Sequence, residues 1–256
     1  MRVGISLLTC NHLKWTRECV RTLKKYTPEN IYDVCCVDNG STDQTVEFLT
    51  REHIYTIEQP ENIGVPKARN LLFKLFLSRG IYDYVCIIHN DMLFTPFWLE
   101  KLIELSKSWP RKNLMGGTSI VGEDVIKYTD EQREKFAEQV KNDKTLPGNF
   151  EPKLFSMEAL NEIGLYDEVY GQQECEDVDH NFRAHMKGYD VLGTNQVVIY
   201  HAYALTRFFV PEAHKYIGKN QKVFREKFPG VDIEAYNHFR RIEHSIDGNL
   251  ITFNCV

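Results

Sequence analysis

The chain has 256 residues, enough for one large α/β domain or two small ones, and its apolar and charged fractions of 43% and 26% are those of a soluble globular protein. A formal net charge of −5 argues against nucleic acid as a main partner. No apolar run approaches the roughly 20 residues a membrane span needs, and the N-terminus enters a strand-like run without the apolar core and cleavage site of a secretory signal.

Short apolar, β-branched runs at 3–8, 32–37, 54–57 and 84–89 read as strands, and amphipathic stretches at 15–26, 45–51 and 66–77 read as helices between them. This alternation predicts an α/β fold with a mostly parallel sheet flanked by helices. Thr95-Pro96 precedes a further helix that carries Phe97, Leu99, Leu102, Ile103 and Leu105 on its apolar stripe. Residues 122–152 lose periodicity and turn polar, which predicts an insertion or mobile loop with a short helix at 130–140. Beyond it come helices at 157–163 and 177–187, a strand at 197–200 and a helix at 212–228. Seven cysteines, odd in number and without a Cys-x-x-Cys pair, point to a reducing, cytoplasmic setting and against a zinc ribbon.

In an open parallel sheet the ligand site lies beyond the carboxyl ends of the strands. Four polar clusters stand there: Thr9-Cys10-Asn11-His12, Asp38-Asn39-Gly40-Ser41-Thr42-Asp43, Asn62-Ile63-Gly64 and His89-Asn90-Asp91. Any one of them is ordinary turn chemistry, but the four together mark a site. The first turn lacks Gly-x-Gly-x-x-Gly and the chain lacks a Gly-x-x-x-x-Gly-Lys-[Ser/Thr] loop, so a nucleotide would be held differently. Asp38 suits a hydrogen bond from the imide N–H of a base, and Arg69 suits a diphosphate oxygen. Asp91 ends a buried strand, where it either holds a divalent ion or caps the next helix. Residues 174–179 pack four carboxylates into six positions, which makes either a helix N-terminus or a carboxylate pair able to act as a general base. His201 follows the last strand, either as a structural histidine or as a further metal ligand.

Taken in order, these clusters resemble the family-2 glycosyltransferases of GT-A fold over residues 3–201, with a weaker echo to 228. The resemblance is carried by 5–11, Val37-Asp38-Asn39-Gly40-Ser41-Thr42-Asp43-Gln44-Thr45, Asn62-Ile63-Gly64-Val65-Pro66-Lys67-Ala68-Arg69-Asn70, His89-Asn90-Asp91, Gly164-Leu165-Tyr166-Asp167-Glu168 and Glu176-Asp177-Val178-Asp179. It implies an inverting transfer of sugar from a nucleoside-diphosphate donor, UDP-linked in first place and GDP- or dTDP-linked otherwise, to a hydroxyl of a glycan or other acceptor. Donor contacts fall on Thr9, Asn11, Asp38, Asn39, Ser41, Lys67, Arg69, Asn90 and Asp91. Asp91 and His201 are the implied ligands of Mn²⁺ or Mg²⁺, and Asp177, paired with Glu176, is the implied base. His89 stands where the family often has the first Asp of its metal motif, which leaves one certain carboxylate and shifts charge compensation toward Arg69 or Lys67.

The expected organisation is one catalytic domain over 1–205, with a nucleotide-sugar half (1–120), the insertion (121–152) and an acceptor half (153–205), followed by a helical extension over 206–256. The alternatives are a binding module that kept the fold without catalysis, and a nucleotidyltransferase. The latter should carry a Gly-rich, basic first loop, where this chain has Thr9-Cys10-Asn11-His12-Leu13-Lys14.

Overall fold

Every residue of strand β1 (Val3–Thr9) is buried, because it runs through the middle of the sheet with a helical layer on each face. Val3, Ile5 and Leu7 point into one layer and Leu8 into the other, as the two-residue period of a strand requires. The computed structural model describes residues 1–142, 151–202, 213–231, 241–242 and 250–253. β1 pairs in parallel with β2 (Tyr32–Asp38) and β4 (Tyr84–His89), in a register that sets Thr9 beside Asp38 and Leu8 beside His89. β3 (Tyr55–Glu58) adds to β2, also in parallel. Four clusters predicted at strand ends are thereby delivered to one end of the sheet.

Helix α1 (Leu13–Tyr26) buries Trp15, Thr16, Cys19, Val20 and Leu23 along one side, and places Lys24 and Lys25 in its last turn, where cations suit the macrodipole. With α2 (Thr45–Arg51) and α4 (Trp98–Ser108) it covers one face, around Leu49, Trp98 and Leu102. α3 (Val65–Arg79) starts with Pro66 in its first turn and stops at left-handed Gly80; its Leu72, Phe73 and Phe76 fill the other face. α6 (Met157–Ile163), capped by Ser156 accepting from the Ala159 N–H at 3.0 Å, and α7 (Glu176–Met186) complete that layer.

Beyond β4 the sheet becomes mixed and curls. β7 (Lys153–Ser156) is antiparallel to both β4 and β6 (Asn113–Val121), β6 runs parallel to β8 (Asp190–His201), and β10 (Leu250–Phe253) and β9 (Arg241–Ile242) follow. The short β5 (Met92–Leu93) sits off this path and pairs with the end of β8. Parallel pairing thus dominates the first half alone. In the segment expected as an insertion or mobile loop with a short helix at 130–140, residues 123–127 form a 3₁₀ turn and the expected helix is α5 (Asp130–Asn142), whose Ala137 and Val140 pack on Val198. Residues 143–150, where the remainder of that loop was expected, lie outside the described residues. The last fifty residues contribute α8 (Ala213–Lys227) and the strands β9 and β10.

Gly64, just before α3, has φ +90°, and a Cβ there would overlap the Gly171 carbonyl oxygen and lie 2.9 Å from Gln172 Cα. The two loops touch backbone to backbone, with Val65 N–H donating to Gln172 O at 2.7 Å. Gly64→Ala should therefore cost about 1–3 kcal/mol, read as a lower denaturation midpoint at unchanged slope. An unchanged midpoint would mean that the loops separate freely.

Candidate active site

The carboxyl ends of β1 and β2 are tied together by one buried carboxylate. Asp38, 1% exposed, accepts from Thr9 Oγ1 at 2.9 Å, from the Ser41 N–H at 2.8 Å and from Ser41 Oγ at 2.5 Å. Ser41 Oγ in turn accepts from the Asn11 N–H at 2.6 Å, and Asn11 Oδ1 accepts from the Thr42 N–H at 2.7 Å. Asn11 and His12 adopt left-handed backbone, φ 58° and 63°, which turns the chain back over the strand end. The structure so gathers Thr9, Asn11, Asp38 and Ser41 into one network. Asn39 points to the neighbouring loop, donating to Asn62 Oδ1 at 2.8 Å and accepting from the Ile63 N–H at 2.9 Å.

Arg69 lies beneath these loops, fully buried on α3. Its guanidinium donates to Ser6 O, to Ser6 Oγ at 3.0 Å and to Ile88 O at 2.6 Å, joining β1 to β4. Burial lowers its pKa to about 10. In this arrangement its hydrogen bonds go to the strands. Lys67, two residues earlier, is exposed. Asn90 is buried and donates to Asn11 O at 3.1 Å and Thr16 Oγ1 at 2.9 Å, bracing the first loop.

The pairing of Met92 with His201 brings Asp91 and His201 side by side, with Asp91 Oδ1 3.0 Å from His201 Nε2. Asp91 does not cap the following helix: α4 begins at left-handed Phe97 with no side-chain cap. Glu151, which the sequence did not single out, joins this group. Its Oε2 is 3.3 Å from His201 Nδ1 and its Oε1 is 3.3 Å from His89 Nε2. Burial alone would lower the His201 pKa, but the hydrogen bond and charge of Asp91 and the charge of Glu151 raise it. Burial alone would raise the Glu151 carboxyl, yet the charge and hydrogen bond of His89, with the charge of His201, hold it well below the usual range.

On the far side, α7 opens with Glu176 buried and Asp177 exposed. Two consecutive left-handed residues, Glu174 (φ 78°) and Cys175 (φ 70°), turn the chain into the helix. That turn is held from outside: the Asn220 side-chain amide on α8 donates to Tyr170 O and Gln173 O, each at 2.7 Å, and to Glu174 O at 3.1 Å. Burial, followed by the neighbouring Asp177 charge, pushes the Glu176 carboxyl up to about 8. Adjacent carboxylates in unlike surroundings are the arrangement expected of an acid/base pair.

Lys153, on β7, is a second buried cation that the sequence reading passed over. It donates to Asn181 Oδ1 at 2.8 Å; burial lowers its pKa while the charges of Asp177, Glu151 and Glu176 oppose the shift. Arg69 likewise feels both Glu151 and Glu176. Both buried cations therefore feel Glu151 and Glu176 alike. A lysine opening a short strand ahead of the apolar pair Leu154-Phe155 was the signal available for it.

Asp91 and His201 would offer a divalent ion one carboxylate oxygen and one imidazole nitrogen. Among the described residues no group of three or more His, Cys, Asp or Glu is arranged to hold an ion unaided. No helix among them is long and apolar enough to cross a membrane.

Comparison with known proteins bears on the family and the fold. The family model described as glycosyl transferase family 2 matches residues 5–164. TagX of Staphylococcus aureus (strain N315), a protein named as a glycosyltransferase, is 22% identical over 193 residues, covering 72% of this chain and 52% of that one. The chain thus spans about half the length of the curated relatives it matches. Among solved structures, GalNAc-T7 with UDP, GalNAc and Mn²⁺ superposes with a TM-score of 0.61 at 13% identity, covering 78% of this chain and 44% of that one. The mannosyltransferase PcManGT of Pyrobaculum calidifontis, with GDP-Man and Mn²⁺, gives 0.58 at 19% identity, covering 78% and 56%. S. aureus TarS 1–349 with UDP-GlcNAc gives 0.53 at 15%, covering 79% and 56%. These likenesses identify the fold as GT-A.

Proposed function

Because the chain belongs to glycosyl transferase family 2, we propose that it is an inverting transferase moving a sugar from a nucleoside-diphosphate donor, UDP-linked in first place, to a hydroxyl of a glycan or other acceptor. The observation that carries this reading is that the buried cations Arg69 and Lys153 feel the charges of both Glu151, which adjoins the Asp91–His201 pair, and Glu176 beside Asp177. Residues 1–120 hold the donor, with Asp38 accepting from the base and Thr9, Asn11, Asn39, Ser41 and Asn90 shaping its pocket. Lys67 and Arg69 supply positive charge near the diphosphate. Residues 153–205 shape the acceptor side, 121–152 form the segment between, and 206–256 extend the domain. All six described cysteines are free, which favours a reducing, cytoplasmic setting.

Asp177 takes the proton of the acceptor hydroxyl. The oxygen attacks the anomeric carbon from the face opposite the leaving group, the carbon–oxygen bond to the diphosphate breaks, and its electron pair leaves with the nucleoside diphosphate. Mn²⁺ or Mg²⁺, bound at Asp91 and His201, would neutralise charge on that leaving group. Glu176, protonated near neutrality, adds no second negative charge beside the base.

Thermal unfolding with a panel of nucleoside diphosphates and their sugars, with and without Mn²⁺, tests the reading. A matched donor at 100 times its Kd should add about 2.7 kcal/mol. The shift should be selective, should grow with Mn²⁺ and should shrink in Asp91→Ala. No shift with any nucleotide would favour a module of the same fold that has lost donor use, a reading to which His89 at the first motif position lends support.

A further inference from the structure

Helix α8 has no part in the transfer as written, yet it grips the turn that leads into the Glu176–Asp177 pair. We infer that Asn220, on α8, is a positioning residue: its side-chain amide holds the turn 170–175 and so aims the start of α7, and Asp177 with it. This rests on Asp177 as the proposed base. Asn220 is fully buried, and its Nδ2 donates to Tyr170 O and Gln173 O, each at 2.7 Å, and to Glu174 O at 3.1 Å. Three carbonyl oxygens around one atom call for a donor, and an amide nitrogen brings two hydrogens, one of them shared. The other end of the amide, Oδ1, has no hydrogen-bond partner among the described residues, so the side chain serves the turn alone.

The turn needs a hold from outside. Glu174 and Cys175 are both left-handed without being glycine, φ 78° and 70°, and Cys175 precedes α7 with no side-chain cap. Backbone of this kind persists only where its surroundings over-determine it. On one side Gln172 O accepts from the Val65 N–H at 2.7 Å. On the other stands one stripe of α8, made by Asn220, Phe224 and Lys227 at i, i+4 and i+7. Phe224 is buried in a cluster with Tyr170 and Cys175, and Lys227 Nζ reaches Asp179 on α7 at 2.5 Å and Asp167 at 2.6 Å. Phe224 and Lys227 dock the helix; of the three, Asn220 takes hold of the turn's carbonyls. A base displaced by about 1 Å loses about 100-fold in rate, so the hold matters to the chemistry.

Amide hydrogen exchange followed by NMR reads the turn without turnover. The N–H groups of Val65 and Asp179 donate to Gln172 O and Cys175 O, and their exchange should quicken about 10-fold or more in Asn220→Ala while that of β1 stays as it is. Lys227→Met, which loosens α8 but spares the turn's carbonyls, should leave Val65 near wild type. Turnover separates positioning from mere stability. Nucleoside diphosphate release from UDP-, GDP- and dTDP-hexoses with Mn²⁺, taken where circular dichroism finds each variant folded, should show kcat lower by about 10- to 100-fold in Asn220→Ala at unchanged donor Kd, and within about 3-fold of wild type in Lys227→Met. In an Asp177→Asn background Asn220→Ala should cost little more, because both act on one proton transfer. If the alanine variant does not fold, Asn220→Ser, which keeps a shorter donor, carries the same comparisons. Unchanged exchange at Val65 and Asp179, or a full further loss in the Asp177→Asn background, overturns the role of Asn220 and leaves the proposed transfer standing. Full activity in Asp177→Asn alone, or no release by the wild-type protein, overturns the base itself, and with it the use made of the turn.

Discussion

Asp177→Asn should keep its fold and its donor affinity and lose about 100- to 10,000-fold in kcat, the usual worth of a positioned general base. Asp177 is exposed, and among the described residues its carboxylate accepts from the N–H of Val178 at 2.8 Å, so the substitution leaves no buried group there without a partner. Its helix N-terminal charge is worth only about 0.3–1 kcal/mol. Steady-state kinetics beside an unfolding curve separate the two effects. Near-normal kcat would move the base to Glu176, whose carboxyl, held up to about 8, ionises only on the alkaline side of neutrality. Activity would then climb with pH through that range.

Arg69→Met should damage stability before it damages chemistry. The guanidinium is fully buried and serves Ser6 O, Ser6 Oγ and Ile88 O, so its loss leaves acceptors on two central strands without donors. Each such orphan costs about 1–3 kcal/mol, and a fall of about 3 kcal/mol or more is a large share of the roughly 5–15 kcal/mol available to a domain. The expected result is a Tm lower by about 10 °C and poor soluble yield. Arg69→Lys should rescue only part, because an ammonium cannot fork across two strands. An unchanged Tm with weakened nucleotide binding would show instead that Arg69 works mainly on the donor.

The elements that were legible carry their own punctuation. α2 and α6 fall on the predicted bounds because their apolar stripes end at clear stops, Glu52-His53 and Gly164, and β4 because Tyr84–His89 is apolar between polar flanks. β6 escaped because Gly116-Gly117 breaks its pattern; Gly117 is there because Val197 packs against it, a contact from 80 residues away. The first half of β8, Asp190 to Gln196, is polar and Gly-bearing, and it is a strand only because β6 and β10 flank it. Asp91 and His201 were legible as strand ends. Glu151, Lys153 and Asn220 were not, since each gains its role from partners distant in sequence. Arg69 was placed on the right helix, but no spacing rule discloses that its hydrogen bonds go to strand carbonyls.

The amide of Asn220 sets a temporal order on the protein's own birth. Synthesis runs from the N-terminus and segments fold as they emerge. The ribosome therefore delivers Glu176 and Asp177 before it delivers the side chain that grips Tyr170, Gln173 and Glu174 and fixes the turn into α7. The turn that aims the start of α7 is thus clamped only after α8 has been made.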